Sequence, residues 1–182
     1  MRRNSILCII SFICILSASA LADTRFASEP GIIRSWGTTT DENYGQGWEP
    51  PGDDWIAISC VKFTNLAMRT DGSLLSWGRD GSGQVSNTPT GTGFKYMSAG
   101  SNHSCAIKAD GSIVCWGSNA EGQCNAPSGT DYVQVAAGYV HSMALKADGS
   151  LVGWGAVPEP MPAGNDFVEV PYKAFLRSDG SA

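Results

Sequence analysis

Past its first 22 residues the chain has no apolar run long enough to cross a bilayer, almost no helical periodicity, and only two histidines. The first absence excludes a membrane-spanning helix and the second an α-rich fold. The two histidines, His103 and His141, have no third group placed to orient a base, so nucleophilic catalysis lacks its parts. Cationic residues are scarce too: 12 Lys and Arg stand against 17 Asp and Glu, for a net charge of −5. An acidic chain has no electrostatic reason to hold nucleic acid or an anionic lipid surface.

The N-terminus stands apart. "MRR" precedes the apolar run "ILCIISFICIL" and the small residues "SASALA". A basic end, a short apolar core and Ala20-Leu21-Ala22 predict a secretory signal peptide over residues 1–22. Neither Cys8 nor Cys14 follows the small residues of a lipid-attachment site, so plain cleavage near Ala22 is expected. Residues 23–30 read as a short linker, and the chain as secreted or periplasmic. Losing Arg2 and Arg3 leaves ten basic residues against seventeen acidic ones, net −7. The remaining cysteines are Cys60, Cys105, Cys115 and Cys124. In an oxidising compartment these read more readily as disulfides than as a metal site.

What dominates the rest is repetition. "RTDGSLLSWG", "KADGSIVCWG" and "KADGSLVGWG" recur, placing Trp77, Trp116 and Trp154 at spacings of 39 and 38. The segments upstream of them superpose without a gap, and "RDGSGQV" and "SNAEGQC" follow two of them. A degraded first copy, "PGIIRSWG" then "ENYGQGWEPP", carries Trp36; "FVEVPYKAFLRSDGSA" is a shortened last one. A Gly- and Trp-rich period of this length signals a propeller or solenoid. Apolar residues alternate with small or polar ones, so the segments are strands. The "DG" marks fit hairpin loops with Gly72, Gly111 and Gly149 in the left-handed position. That register sets Cys105 opposite Cys115, with Leu66 opposite Ser76 and Met143 opposite Gly153 at the same pair. Directly opposed residues stand near disulfide spacing, so a cross-strand Cys105–Cys115 bridge is expected. Cys60 and Cys124 are the possible second pair.

Most chemistry-bearing residues have local explanations. Asp71, Asp110 and Asp148 belong to tight turns, where aspartate bonds its own backbone. His103 and His141 hold one repeat position, so they are expected to point into separate blades with a ring nitrogen bonded to nearby backbone. The acidic stretch "TDENYGQGWEPPGDD" lacks alternating ligand spacing and reads as a solvated insert. Asn102-His103-Ser104 is a formal glycosylation sequon. Tyr44, Trp48, Phe63 and Tyr139 are less regular than the Trp-Gly series. They fall in connecting segments, where they serve either recognition or blade capping.

"AAGYVHSMALKADGSLVGWG" and "CWGSNAEGQC" resemble the regulator of chromosome condensation repeat family. The short spacing is most similar to its secreted bacterial branch, which includes β-lactamase inhibitor protein II. The resemblance covers roughly residues 31–182 and implies a β-propeller of antiparallel blades. It further implies partners held by loops on one face, which at the matching positions comprises Lys62 and Phe63, Ser101 and Asn102, Tyr139 and Val140. β-Lactamase inhibition follows from the resemblance alone.

The expectation is an all-β propeller of about four blades, either a small closed ring or part of a longer one. In a closed ring, "IIRSWG" and "YKAFLRSDG" from the two ends would share one blade. In an incomplete ring, open blade edges would favour self-association. The favoured function is an exported, non-enzymatic binding module for a protein or glycan partner, without cofactor, metal or nucleic acid. The alternatives are a polysaccharide-active enzyme with a central-channel site and an inert truncated fragment.

Overall fold

The computed structural model describes residues 5–9, 25–36, 44–157, 161–170 and 176–177. The described chain is all β. Its strands are β1 (Ser5–Ile9), β2 (Arg25–Trp36), β3 (Trp55–Val61), β4 (Thr64–Arg69) and β5 (Leu74–Gly78), which form one sheet in that order. A second sheet holds β6 (Tyr96–Ala99), β7 (His103–Ile107) and β8 (Ile113–Gly117); a third holds β9 (Tyr132–Ala137), β10 (His141–Lys146) and β11 (Leu151–Gly155). The short strands β12 (Phe167–Glu169) and β13 (Leu176–Arg177) pair as a fourth. All pairings are antiparallel except β1 with β2, which is parallel. No helix is long and apolar enough to cross a membrane among the described residues.

The turn chemistry works as the residue types require. Gly72, Gly111 and Gly149 have φ of 77°, 86° and 81°. A Cβ on Gly111 would lie 2.1 Å from the Thr130 carbonyl oxygen, so both conformation and space demand glycine. The amides of Ser73, Ser112 and Ser150 donate to Asp71, Asp110 and Asp148 at 2.8, 2.9 and 2.9 Å. Those amides at Asp71 and Asp110, and the Ser150 hydroxyl ahead of its amide at Asp148, favour the ionised carboxylates and lower all three pKa values. The facing pairs are those of the repeat register: Leu66 with Ser76, Cys105 with Cys115, Met143 with Gly153.

Packing runs between blades. The middle strands β4, β7 and β10 are buried; β7 and β10 have a neighbouring sheet on each side, and β4 has the second sheet on one side and Ile33 of β2 on the other. Leu66 and Met68 of the first blade meet Met97, Ala106 and Trp116 of the second. Cys105 and Ile107 of the second meet Val135, Ala144 and Trp154 of the third. Met143 and Leu145 of the third meet Phe167 and Val170. Hydroxyls stitch the same seams: the amides of Ala99 and Ala137 each donate at 3.1 Å to Ser59 and Ser98 of the preceding blade.

β2 starts at Arg25, within residues 23–30, and β1 lies within residues 1–22. Among the described residues the end strands do not share a blade. β2 extends the first sheet beside β3, while β13 pairs with β12. β2 is drawn to the first blade by its own apolar face, since Ile33 packs with Trp55, Ile58 and Trp77.

Candidate binding face

Each blade presents two loops at one end: a hairpin between its first two strands, and the Gly-Gln loop that approaches its Trp-Gly. The hairpin tips are tied to the chain leaving the same blade. Arg79, Ser118 and Ala156 donate their amides to the carbonyls of Phe63, Asn102 and Val140 at 2.8, 2.8 and 3.0 Å. Ser101 also donates to the Gly138 carbonyl at 3.2 Å, linking the second tip to the third. The Gln loops are latched with equal regularity. Trp77, Trp116 and Trp154 donate their Nε1 protons to the backbone carbonyls of Gln46, Gln84 and Gln123 at 3.2, 3.0 and 2.9 Å. Meanwhile the glutamine side-chain oxygens accept the amides of Tyr44, Ser82 and Glu121 at 2.7, 2.8 and 2.8 Å. The Trp and Gln marks are therefore one latch, a link the sequence pattern shows only as two separate motifs.

The six positions carried over from the resemblance behave unequally. Lys62 is exposed, with φ of 53° in the left-handed region that side chains rarely adopt. Tyr139 is 57% exposed, and Ser101, Asn102 and Val140 are half-buried. Phe63 is buried beneath Tyr44, their rings 5.4 Å apart edge to face, so it supports the face without presenting itself to a partner. Tyr44 and Trp48 are 43% and 48% exposed, and Trp48 rests edge-on against Trp77 at 6.1 Å. Sequence reasoning missed Arg79, whose guanidinium stands 5.6 Å from the Tyr44 ring centre. The signal was available: Ser118 and Ala156 hold the matching positions in the other blades.

The histidines are structural, by a route other than the expected backbone bond. His103 Nε2 lies 2.8 Å from Ser142 Oγ in the next blade. Ser142 gives its one proton to the Gln123 carbonyl, 3.0 Å away, so Nε2–H donates and Nδ1 is the bare nitrogen. That Nδ1 is buried without a partner. Burial, and secondarily the charge of His141, pulls the His103 imidazole down to about 4; burial also lowers His141. His103 stands on β7 of the second blade and His141 on β10 of the third, in separate blades as the repeat spacing predicts. In the first blade Thr64 replaces the histidine and bonds the Arg79 carbonyl at 3.3 Å, and Ser104 Oγ across that seam is left buried and unpaired.

Cys105 and Cys115 are joined, Cα atoms 4.1 Å apart across β7 and β8. The Cys60–Cys124 pair does not form. Cys60 is disulfide-bonded and Cys124 is not its partner. Cys124 keeps a free thiol directed at the Ser118 carbonyl at 3.2 Å, its pKa pushed up to about 11 by burial. In the acidic insert, Glu49 pairs with Arg34 at 2.8 Å and Asp54 with Arg69, so these carboxylates are held apart by arginines. Between the insert and β2 lies an open cavity of about 400 Å³. Among the described residues no group of three or more His, Cys, Asp or Glu side chains could hold a metal ion.

Three-stranded antiparallel blades packed in series, each latched by Trp to a Gln loop, define a repeat β-propeller. Three segments, residues 55–84, 94–123 and 132–156, match the regulator of chromosome condensation (RCC1) repeat. The chain is 31% identical over 87 residues to an X-linked retinitis pigmentosa GTPase regulator homolog of Caenorhabditis elegans, covering 42% of this chain and 6% of that one. Among solved structures it resembles the ectodomain of the Physcomitrella patens receptor kinase CR4: TM-score 0.56, 26% identity, 68% of this chain and 37% of that. The CRINKLY ectodomain of the Arabidopsis thaliana kinase ACR4 gives 0.52 at 24% identity, covering 64% and 44%. Yeast RCC1 (Prp20), in its complex with Kap60, gives 0.53 at 22% identity, covering 74% and 37%. The chain thus spans well under half the length of these proteins.

Proposed function

We propose that this chain is an exported, non-enzymatic protein-binding module that works through the hairpin and Gln loops at one end of its blades. The observation that carries this is the contrast between fixed and variable positions on one scaffold. Latch residues repeat from blade to blade, while the tips change from Lys62 to Ser101 to Tyr139 and keep exposed aromatics. Tyrosine, tryptophan and arginine are the side chains that dominate protein interfaces. The complex of yeast RCC1 with Kap60 supports a protein partner over a glycan. The leader-like N-terminus and the Cys105–Cys115 bridge support export, since such bridges persist in oxidising compartments.

The test has two arms. Fusing residues 1–30 to a reporter active only after export should yield activity outside the cytoplasm; reporter trapped inside would remove the export claim. Affinity capture on the full chain should recover a stoichiometric protein that is lost when Lys62 and Tyr139 are replaced together by serine. Capture indifferent to both substitutions, or turnover of a polysaccharide by the purified chain, would overturn the binding reading.

A further inference from the structure

The three blades provide an internal control on which loop residues the scaffold needs. At matching repeat positions Tyr44 corresponds to Ser82 and Glu121, and Trp48 to Ser86 and Asn125. Lys62 corresponds to Ser101 and Tyr139, and Arg79 to Ser118 and Ala156. Blades two and three make the same tip bonds and the same Trp–Gln latches with mostly small or polar residues there. The first blade therefore carries two aromatics and two cations that its architecture does not require.

Three of those side chains gather around Phe63, and Trp48 stands nearby against Trp77. Tyr44 covers Phe63, and Lys62 Nζ stands 5.2 Å from the Phe63 ring centre. Arg79 reaches the Tyr44 ring, and Trp48 leaves the same turn as Tyr44. Neither Lys62 nor Arg79 has a carboxylate within ion-pair distance among the described residues, although the chain is acidic. Glu49, the carboxylate next to Trp48, is occupied by Arg34, and Asp80, next to Arg79, accepts the amides of Val85 and Ser86 at 2.8 and 3.0 Å. Lys62 also holds its left-handed backbone where glycine would do so without strain.

We propose that the loop end of the first blade is the docking site for an acidic, aromatic- or aliphatic-containing segment of a partner protein. In it Tyr44 and Trp48 pack on the apolar side chains while Lys62 and Arg79 pair with carboxylates. This rests on the loop-face reading above and narrows it to one blade and one partner chemistry. Two cations without a carboxylate partner among the described residues, beside exposed aromatic faces, complement a negative, partly apolar strand, and the pairing steers encounter as well as holding it.

The test is selection of a random peptide library on the full chain, with polygalacturonate as the glycan probe. Enriched peptides should combine Asp or Glu with apolar residues. Each of Tyr44→Ser, Trp48→Ser, Lys62→Ser and Arg79→Ser should weaken their binding about tenfold or more. These substitutions install the serines of blade two, so the fold tolerates them, and circular dichroism would confirm it. Binding should weaken as salt rises from about 0.05 to about 0.5 M, and Val133→Ser, at an exposed position on β9 away from the loops, should leave it unchanged. Neutral or basic peptides, or affinity indifferent to the four serines, would overturn the proposal. Loss of binding on Tyr139→Ser alone would sink it while sparing the loop-face reading. Polygalacturonate binding in place of peptide would make the occupant a glycan, and no loop-dependent ligand at all would end both readings.

Discussion

Protonating His103 is expected to loosen the joint between the second and third blades. The imidazole is fully buried, donates through Nε2 to Ser142, and leaves Nδ1 unpaired. A proton on Nδ1 would place a donor and a charge where no acceptor waits. The folded pKa is depressed, from 6.5 to about 4, so the folded state binds fewer protons than the unfolded one across that interval. Stability is therefore fully present above pH 6.5 and falls as the pH drops toward about 4. At roughly 1.4 kcal/mol per pH unit, the loss reaches about 3 kcal/mol, a large part of what holds a small domain. His141 adds in the same direction. The turn aspartates do not share the window, because their lowered pKa values release stability only below an ordinary value of 3.8. Urea unfolding at half-unit pH steps would read the slope directly. His103→Gln keeps a donor for Ser142 and cannot be charged, so it should lose most of the slope between pH 6.5 and 4 and keep only the share that His141 contributes. If the variant retained the full slope, the buried histidine would not be its source.

Other outcomes follow from single bonds. Among the described residues Trp116 is the one side chain donating to the Gln84 carbonyl in blade two, whereas in blade three Ser142 donates beside Trp154. Trp116→Phe should therefore cost about 1–3 kcal/mol and Trp154→Phe less, both read as shifts in thermal midpoint; equal losses would contradict the latch. Replacing Cys105 and Cys115 together by alanine should remove about 3 kcal/mol in non-reducing urea unfolding, with the wild type matching the variant only under reductant. Lys62→Gly should raise the unfolding free energy measured in urea by about 1 kcal/mol through relief of left-handed strain, and weaken peptide binding at the same time.

Much of this architecture is written in short-range chemistry. The Asp-Gly turns specify the hairpin register, and the register alone places Cys105 against Cys115. Repeat alignment likewise exposes the Leu66–Ser76 and Met143–Gly153 partners. What stays illegible crosses from one repeat to another. The acceptor for each Trp is a backbone carbonyl, which carries no residue identity. Ser142 as the partner of His103, and Tyr44 as the cover on Phe63, depend on how successive blades are offset. The non-pairing of Cys60 and Cys124 has the same origin, since neither faces the other across a strand pair. Arg79 was recoverable, because it differs from Ser118 and Ala156 at one repeat position, yet a lone cation after Trp-Gly draws no notice without Tyr44 beside it.

The unpaired hydroxyl of Ser104 has a mechanical corollary. Neighbouring blades are not equally welded: one junction has a histidine clasp, and the junction before it has a threonine turned away. Transient opening should begin at the weaker junction, so the chain would hinge, exchange its amide hydrogens and be nicked first between the first and second blades, leaving the later pair as a surviving block.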